Sequence, residues 1–167
     1  MGLFPPAPGG GKEVAYGYKG KGTLLHLMVD KNGKPLAIKT TAANGNEREK
    51  LLDLDKDLSK AQIKPQSKIL ILEADKGYDA SWLRQKLLKL GYFPFIPYRK
   101  NQKNTPNSET IRKILKIQSK RWVVERTFSW IKRKCRRLLL RWERLNENWQ
   151  AFATLGVIYM WLEILFG

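Results

Sequence analysis

The order in which the apolar pattern changes its period constrains this chain most. Thr23 to Asp30 carries Leu24, Leu25, Leu27, Met28 and Val29, and a second β-rich run, Leu36 to Thr41, follows the turn residues Asp30-Lys31-Asn32-Gly33. Two such runs around turn chemistry predict a β-hairpin. From Glu47 to Ser59 the residues Leu51, Leu52, Leu54 and Leu58 form one stripe, which predicts a mostly polar helix. Ile69 to Leu72 predicts a short strand ending in Glu73-Ala74-Asp75, and Ser81 is placed to cap a helix that runs to Leu90 and stops at Gly91. Phe93, Phe95 and Ile96 predict another short strand, and helices over about 111–145, with a possible break, and 149–166 complete the chain. The order hairpin, α, β, α, β, α, α predicts an α/β fold, a mixed sheet flanked by helices. At 167 residues the chain suits a single domain over 1–167. Residues 1–22, rich in proline and glycine at the start, read as loop, and the polar stretch 99–110 reads as a mobile basic loop.

Charge narrows the partner. The net charge is +17, and Arg99 to Arg144 holds sixteen Lys/Arg against Glu109, Glu125 and Glu143. A basic block of that density implies a polyanion, nucleic acid first among them, although a solvated helix face or general RNA affinity would produce the same count. His26 and Cys135 stand alone in their classes, so no His/Cys zinc cluster is available and a catalytic metal would have to rest on carboxylates, which favours magnesium or manganese. The opening MGLFPPAPGGGK has no apolar core of a secretory signal. Gly11-Lys12 is not a phosphate-binding loop, because Glu13 stands where Ser or Thr is required. Trp149 to Phe166 is nearly all apolar, but Glu163 would be costly in lipid, so a helix packed on a sheet is the expectation and no membrane partner is. The missing signal and the single cysteine place the chain in a cytoplasm.

Two places carry chemistry. Asp75 ends an apolar strand ahead of Lys76-Gly77-Tyr78, where an aspartate can present oxygens to a hard cation while the glycine lets the backbone turn away; a turn or cap aspartate would look the same. The second is the stretch around Arg121, Glu125 and Lys132. On a wheel of about 100° per residue these three fall within roughly 40° of one another. Val124, Phe128, Ile131, Cys135 and Leu138 form an adjoining apolar face, and Arg126, Arg133, Lys134 and Arg137 lie opposite. The plain alternative is an Arg121–Glu125 pair one turn apart on a solvated helix, worth a few tenths of a kcal/mol, about 0.3.

These residues resemble the glutamate motif of bacterial insertion-sequence transposases of the Asp-Asp-Glu type: arginine, three residues, glutamate, six residues, lysine. Arg121-Trp122-Val123-Val124-Glu125-Arg126-Thr127-Phe128 and Arg136-Arg137-Leu138 are typical of one large group, and Ala74-Asp75-Lys76-Gly77-Tyr78 is similar to its second-aspartate motif. Lys19-Gly20-Lys21-Gly22, the stretch from Val29 to Leu36 and Thr41 to Arg48 match its hairpin and following loop; Gln118 departs from the tyrosine often found before the arginine.

The resemblance implies a ribonuclease-H-like core whose carboxylates hold two Mg²⁺ or Mn²⁺ ions for phosphodiester hydrolysis and strand transfer at element ends. It implies Asp75 and Glu125 as metal ligands and Arg121 and Lys132 as their catalytic companions. Arg99, Lys100, Lys103 and Lys120, with Arg126, Arg133, Lys134, Arg136 and Arg137, would bind double-stranded DNA through its phosphates. Trp122 and Trp130 could stack on an unpaired base, but packing residues need no such role and packing is the expectation. The family's first aspartate corresponds to a position at or before Met1, and no acid precedes Glu13. The expected sheet therefore lacks or shortens its first strand, and the 167-residue polypeptide is expected to bind DNA without cutting it alone. Homo-oligomers, or a separate N-terminal transposase part, are the implied protein partners. Two readings compete: a non-catalytic DNA-binding fragment that competes with full-length transposase, and an RNA-binding protein.

Overall fold

The computed structural model describes residues 2–61, 70–99 and 120–167. The chain forms two compact units, Met1–Ile63 with Val123–Gly167, and Lys64–Trp122.

The first unit is built on the expected hairpin, strands β3 (Gly20–Val29) and β4 (Pro35–Ala42), antiparallel in register from Thr23 opposite Ala42 to Met28 opposite Ala37. The turn closes through Asp30, whose side chain accepts hydrogen bonds from the backbone N–H groups of Asn32 and Lys34, both at 2.8 Å. Gly33 takes a φ of +90° in that turn. Two short strands lie within the segment expected to be loop: β1 (Gly2–Leu3) pairs with His26 and Leu25 of β3, and β2 (Ala15–Gly17) pairs with Gly20 to Gly22. The loop reading of 1–22 is corrected there, because pairing with β3 supplies the order that the local proline and glycine content does not.

The two faces of the hairpin are covered by different helices, as a period of two requires. On one side Leu25, Leu27 and Ile38 join Phe128 and Ile131 of α3 (Trp122–Lys134), Leu138, and Trp149, Ala153 and Met160 of α4 (Asn146–Phe166). On the other, Ala37 packs with Leu54 and Leu58 of α1 (Glu47–Lys60). Asn46 caps α1 by accepting from the Arg48 N–H at 3.1 Å.

α4 is the helix among the described residues long and apolar enough to cross a membrane. Its buried stripe, Trp149, Ala153, Gly156 and Met160, recurs at three and four residues. Gln150 donates to the Ile38 carbonyl at 3.0 Å and accepts from the Thr40 N–H at 2.9 Å, and the Trp161 indole donates to the Pro35 carbonyl at 2.8 Å. These side chains satisfy backbone groups of β4 that no strand among the described residues reaches. The opposite side of α4 is left apolar and exposed at Leu155, Ile158, Leu162 and Leu165.

The helix expected over 111–145 is broken within its described part. α3 ends at Lys134, a short 3-10 turn covers Arg136–Leu139, and extended chain follows; residues 111–119 and 100–110 lie outside the described residues. Arg141 explains the departure. Its side chain is fully buried and donates to the carbonyls of Lys12 at 2.7 Å and Glu143 at 2.8 Å, while its own N–H donates to the Pro6 carbonyl at 2.9 Å. A continuing helix would use that N–H internally.

In the second unit β5 (Leu70–Glu73) and β6 (Tyr92–Phe95) pair in parallel and are joined through α2 (Ser81–Lys89). Leu72, Leu83, Leu87 and Phe95 are buried. Ser81 is the first helical residue, so the expected cap is displaced by one: Ala80 holds the cap position without a side-chain hydrogen bond. Gly91, at a φ of +82°, ends the segment as expected.

Candidate functional site

The second unit presents Asp75 just beyond the carboxyl end of β5, at the start of the 3-10 turn Lys76–Tyr78. Its side chain is about a third exposed and its backbone is extended, with a φ of −71° and ψ of 159°. The Tyr78 N–H donates to the Asp75 carbonyl at 2.9 Å, which fixes the backbone and leaves the carboxylate outside the turn. Gly77 does not have the part expected of it: its φ is not positive and a Cβ there would meet nothing within 4 Å.

Arg121 lies one residue before α3 and approaches Asp75, Nη1 to Oδ1 at 3.8 Å. The wheel that grouped it with Glu125 and Lys132 assumed continuous helix, and the helix begins at Trp122. Asp79, buried four residues after Asp75, escaped the sequence reading. It pairs with Arg84 at 2.9 Å and accepts from the Arg99 N–H at 2.8 Å, and Arg84 also donates to the Ile96 carbonyl at 2.7 Å. A buried, bridged aspartate of this kind holds the turn that displays Asp75 to the segment after β6. One signal pointed to it, an acid just ahead of a helix start, which reads most simply as a cap.

In the first unit Glu125 stands in the first turn of α3, exposed, where a carboxylate is favoured by the helix dipole. Its carboxylate makes no ion pair among the described residues; Ser129 Oγ donates to its backbone carbonyl at 3.0 Å. Lys132 lies seven residues on, in the last turn and equally exposed. The helix is positioned by Phe128 and Ile131, buried as the apolar face requires, and by Val123 and Thr127, which the wheel did not assign; Val124, which it did, is half-buried. Thr127 Oγ1 donates to the Gly33 carbonyl at 2.9 Å.

The cations expected to meet DNA divide into groups. Arg133 and Arg136 are exposed without a carboxylate partner among the described residues, as is Lys132. Lys134 pairs with Glu163 at 3.0 Å, and that carboxylate, also accepting from Tyr159 at 2.8 Å, is held below its ordinary pKa by those two hydrogen bonds. Arg137 pairs with Glu143 and lies over the Phe152 ring. Arg126 donates to the Asn32 carbonyl at 2.5 Å. Arg99 reaches the carbonyls of Lys76 and Gly77, at 3.5 and 3.4 Å, and the Lys120 N–H donates to Glu73 at 2.8 Å. Lys100 and Lys103 lie outside the described residues. Among the described residues no group of three or more potential metal ligands assembles.

Comparison with known proteins adds the following. A family model described as "Transposase DDE domain" matches residues 4–161. A putative transposase for insertion sequence element IS402 from Burkholderia cepacia is 33% identical over 138 residues, which is 81% of this chain and 60% of that relative. No solved structure matches.

Proposed function

The chain belongs to the transposase DDE-domain family, and on that premise we propose that Asp75 and Glu125 are two of the carboxylates with which an insertion-sequence transposase breaks and rejoins DNA. The observation that carries this reading is the family match across residues 4–161, which spans Asp75 and the Arg121, Glu125, Lys132 spacing together. A core of ribonuclease-H-like type is supported by the element order, a hairpin, a helix, and then a parallel strand pair joined through a helix.

The donors suit a divalent Mg²⁺ or Mn²⁺ ion: both are hard oxygen ligands, Asp75 is about a third exposed, and Glu125 is exposed and makes no ion pair among the described residues. When bound, such ions supply Lewis acidity for an in-line displacement at phosphorus. The chain's own side chains do the rest. Arg121 steadies Asp75 and offsets its charge, while Lys132, Arg133 and Arg136 hold backbone phosphates and so contribute affinity with little sequence reading. On this assignment the polypeptide binds duplex DNA through those cations.

The partner is double-stranded DNA in a bacterial cytoplasm, near the nucleoid. Self-association, or union with an N-terminal part, is supported by the exposed apolar side of α4, and a membrane span would forfeit the bonds of Gln150 and Trp161 to β4.

The test is Mn²⁺ titration followed by electron paramagnetic resonance, beside duplex binding by fluorescence anisotropy. Glu125→Gln is expected to weaken Mn²⁺ binding at least tenfold and leave duplex affinity within twofold. Unchanged Mn²⁺ binding would favour the non-catalytic competitor, and preference for structured RNA would overturn the DNA reading.

A further inference from the structure

The motif Lys19-Gly20-Lys21-Gly22 has no part in the chemistry above, yet the chain spends unusual backbone geometry on it. β2 and the start of β3 form a small hairpin in which Tyr16 lies opposite Lys21 and Gly17 opposite Gly20, with Tyr18 and Lys19 at the tip. Gly20 takes a φ of +109°, the left-handed conformation that a residue following such a turn needs. At the base, a Cβ on Gly17 would come within 2.6 Å of the Ala43 carbonyl oxygen, and one on Gly22 within 2.5 Å of that of Pro5. The Ala43 N–H also donates to the Gly22 carbonyl at 3.2 Å. The hairpin is therefore pinned by direct backbone contact.

What this rigid support presents is Tyr16, 76% exposed, and Tyr18, fully exposed at 103%. Neither ring is buried. Lys19 and Lys21 beside them are exposed and make no ion pair among the described residues. A lone exposed aromatic needs no explanation, but two tyrosines between free lysines on a fixed hairpin form a surface of particular chemistry. Tyrosine gives a large flat contact at low conformational cost, and lysine selects a polyanion. Aromatic faces bordered by cations are what bind unpaired bases without regard to sequence.

We propose that the tip of this hairpin is a second DNA contact, in which Tyr18, backed by Tyr16, stacks on an unpaired base while Lys19 and Lys21 take the adjacent phosphates. It rests on DNA being the partner, and it adds a preference for DNA whose end is opened into single strand.

The experiment compares the 167-residue chain with Tyr16→Ala/Tyr18→Ala on two probes by fluorescence anisotropy, a blunt duplex and the same duplex carrying a short single-stranded tail. Both rings are largely exposed, so the variant is expected to keep the wild-type unfolding temperature. It should bind the tailed duplex about tenfold more weakly and the blunt one within twofold. Tyr16→Phe/Tyr18→Phe should restore the tailed affinity, since stacking needs the ring and not the hydroxyl. Lys19→Gln/Lys21→Gln should reduce the salt slope by about two on the tailed probe. Equal losses on both probes, or no loss on either, would overturn the stacking assignment. A wild-type chain that binds neither probe would overturn the DNA reading itself, an outcome distinct from a variant that binds as wild type does.

Discussion

Arg141 tests whether the basic block is one surface or two kinds of residue. Counted by charge it belongs to the DNA-binding stretch, yet it is fully buried and spends its guanidinium on the Lys12 and Glu143 carbonyls at 2.7 and 2.8 Å. Its longer approaches to the Glu13 carbonyl and Asn146 Oδ1, both at 3.4 Å, count for little at that distance. Arg141→Met fills most of the volume and keeps the backbone bonds to Pro6 and from Lys12 to Arg144. It removes two charge-assisted bonds of about 1.5–3 kcal/mol each and orphans their acceptors, against which it relieves the desolvation of a buried cation. The net is a loss of about 3 kcal/mol, or roughly 6–12 °C in unfolding temperature for a chain of this size. Thermal unfolding by circular dichroism measures it, and duplex binding well below the transition should keep the wild-type affinity and salt slope. If Arg141→Met unfolds at the wild-type temperature and binds DNA more weakly, the side chain reaches phosphate and the reasoning fails.

Three further outcomes follow from the same geometry. Arg133→Gln/Arg136→Gln should lower the salt slope of duplex binding by about two, because each exposed guanidinium releases about one counterion, whereas Arg126→Gln should lower it by less, its guanidinium being bonded to Asn32. Asp75→Asn should weaken Mn²⁺ binding as Glu125→Gln does, while Asp79→Asn should lower the unfolding temperature instead, since it strips a buried partner from Arg84. His26, buried and with its Nε2 2.8 Å from Thr41 Oγ1, is held by burial down to a pKa of about 4. The unfolded chain takes up that proton first, so the contribution is present above pH 6.5 and is lost as the pH falls towards 4. It amounts to about 3 kcal/mol. The slope of stability against pH in that window should flatten in His26→Phe relative to wild type, and an unchanged slope would show that His26 titrates normally.

What the sequence could disclose depended on how local the cause was. The β3–β4 hairpin, α1 and the end of α2 were legible because turn residues, a leucine stripe and Gly91 each act within a few positions. β1 and β2 were not, because their order comes from pairing with β3, and nothing between Gly2 and Gly17 announces it. The end of α3 was equally hidden, as Lys134-Cys135-Arg136 contains no helix breaker. The chain leaves the helix because Arg141 and Leu138 are buried farther on. Asp75 stands just beyond β5 and Glu125 in the first turn of α3, the places that the apolar run and the helical spacing predict. The approach of Arg121 to Asp75 was not readable, because a wheel carries no information about where a helix starts.

The same distinction governs the charge. A run of sixteen cations invites the inference that all of them face one polyanion, but a cation placed among carboxylates and carbonyls is already spoken for. Arg141 closes a fold, Arg126 bonds a turn carbonyl, and Lys134 and Arg137 each pair with a glutamate. Lys132, Arg133 and Arg136, within five positions of one another, form the cluster of the described block whose side chains make no ion pair among the described residues, and Lys120 and Arg144 are exposed apart from it. A DNA path defined by those three and by the lysines of the β2–β3 hairpin is narrower than the composition suggests. It also makes the salt slope, rather than net charge, the quantity that identifies the binding face, because the slope counts only the cations that release a counterion.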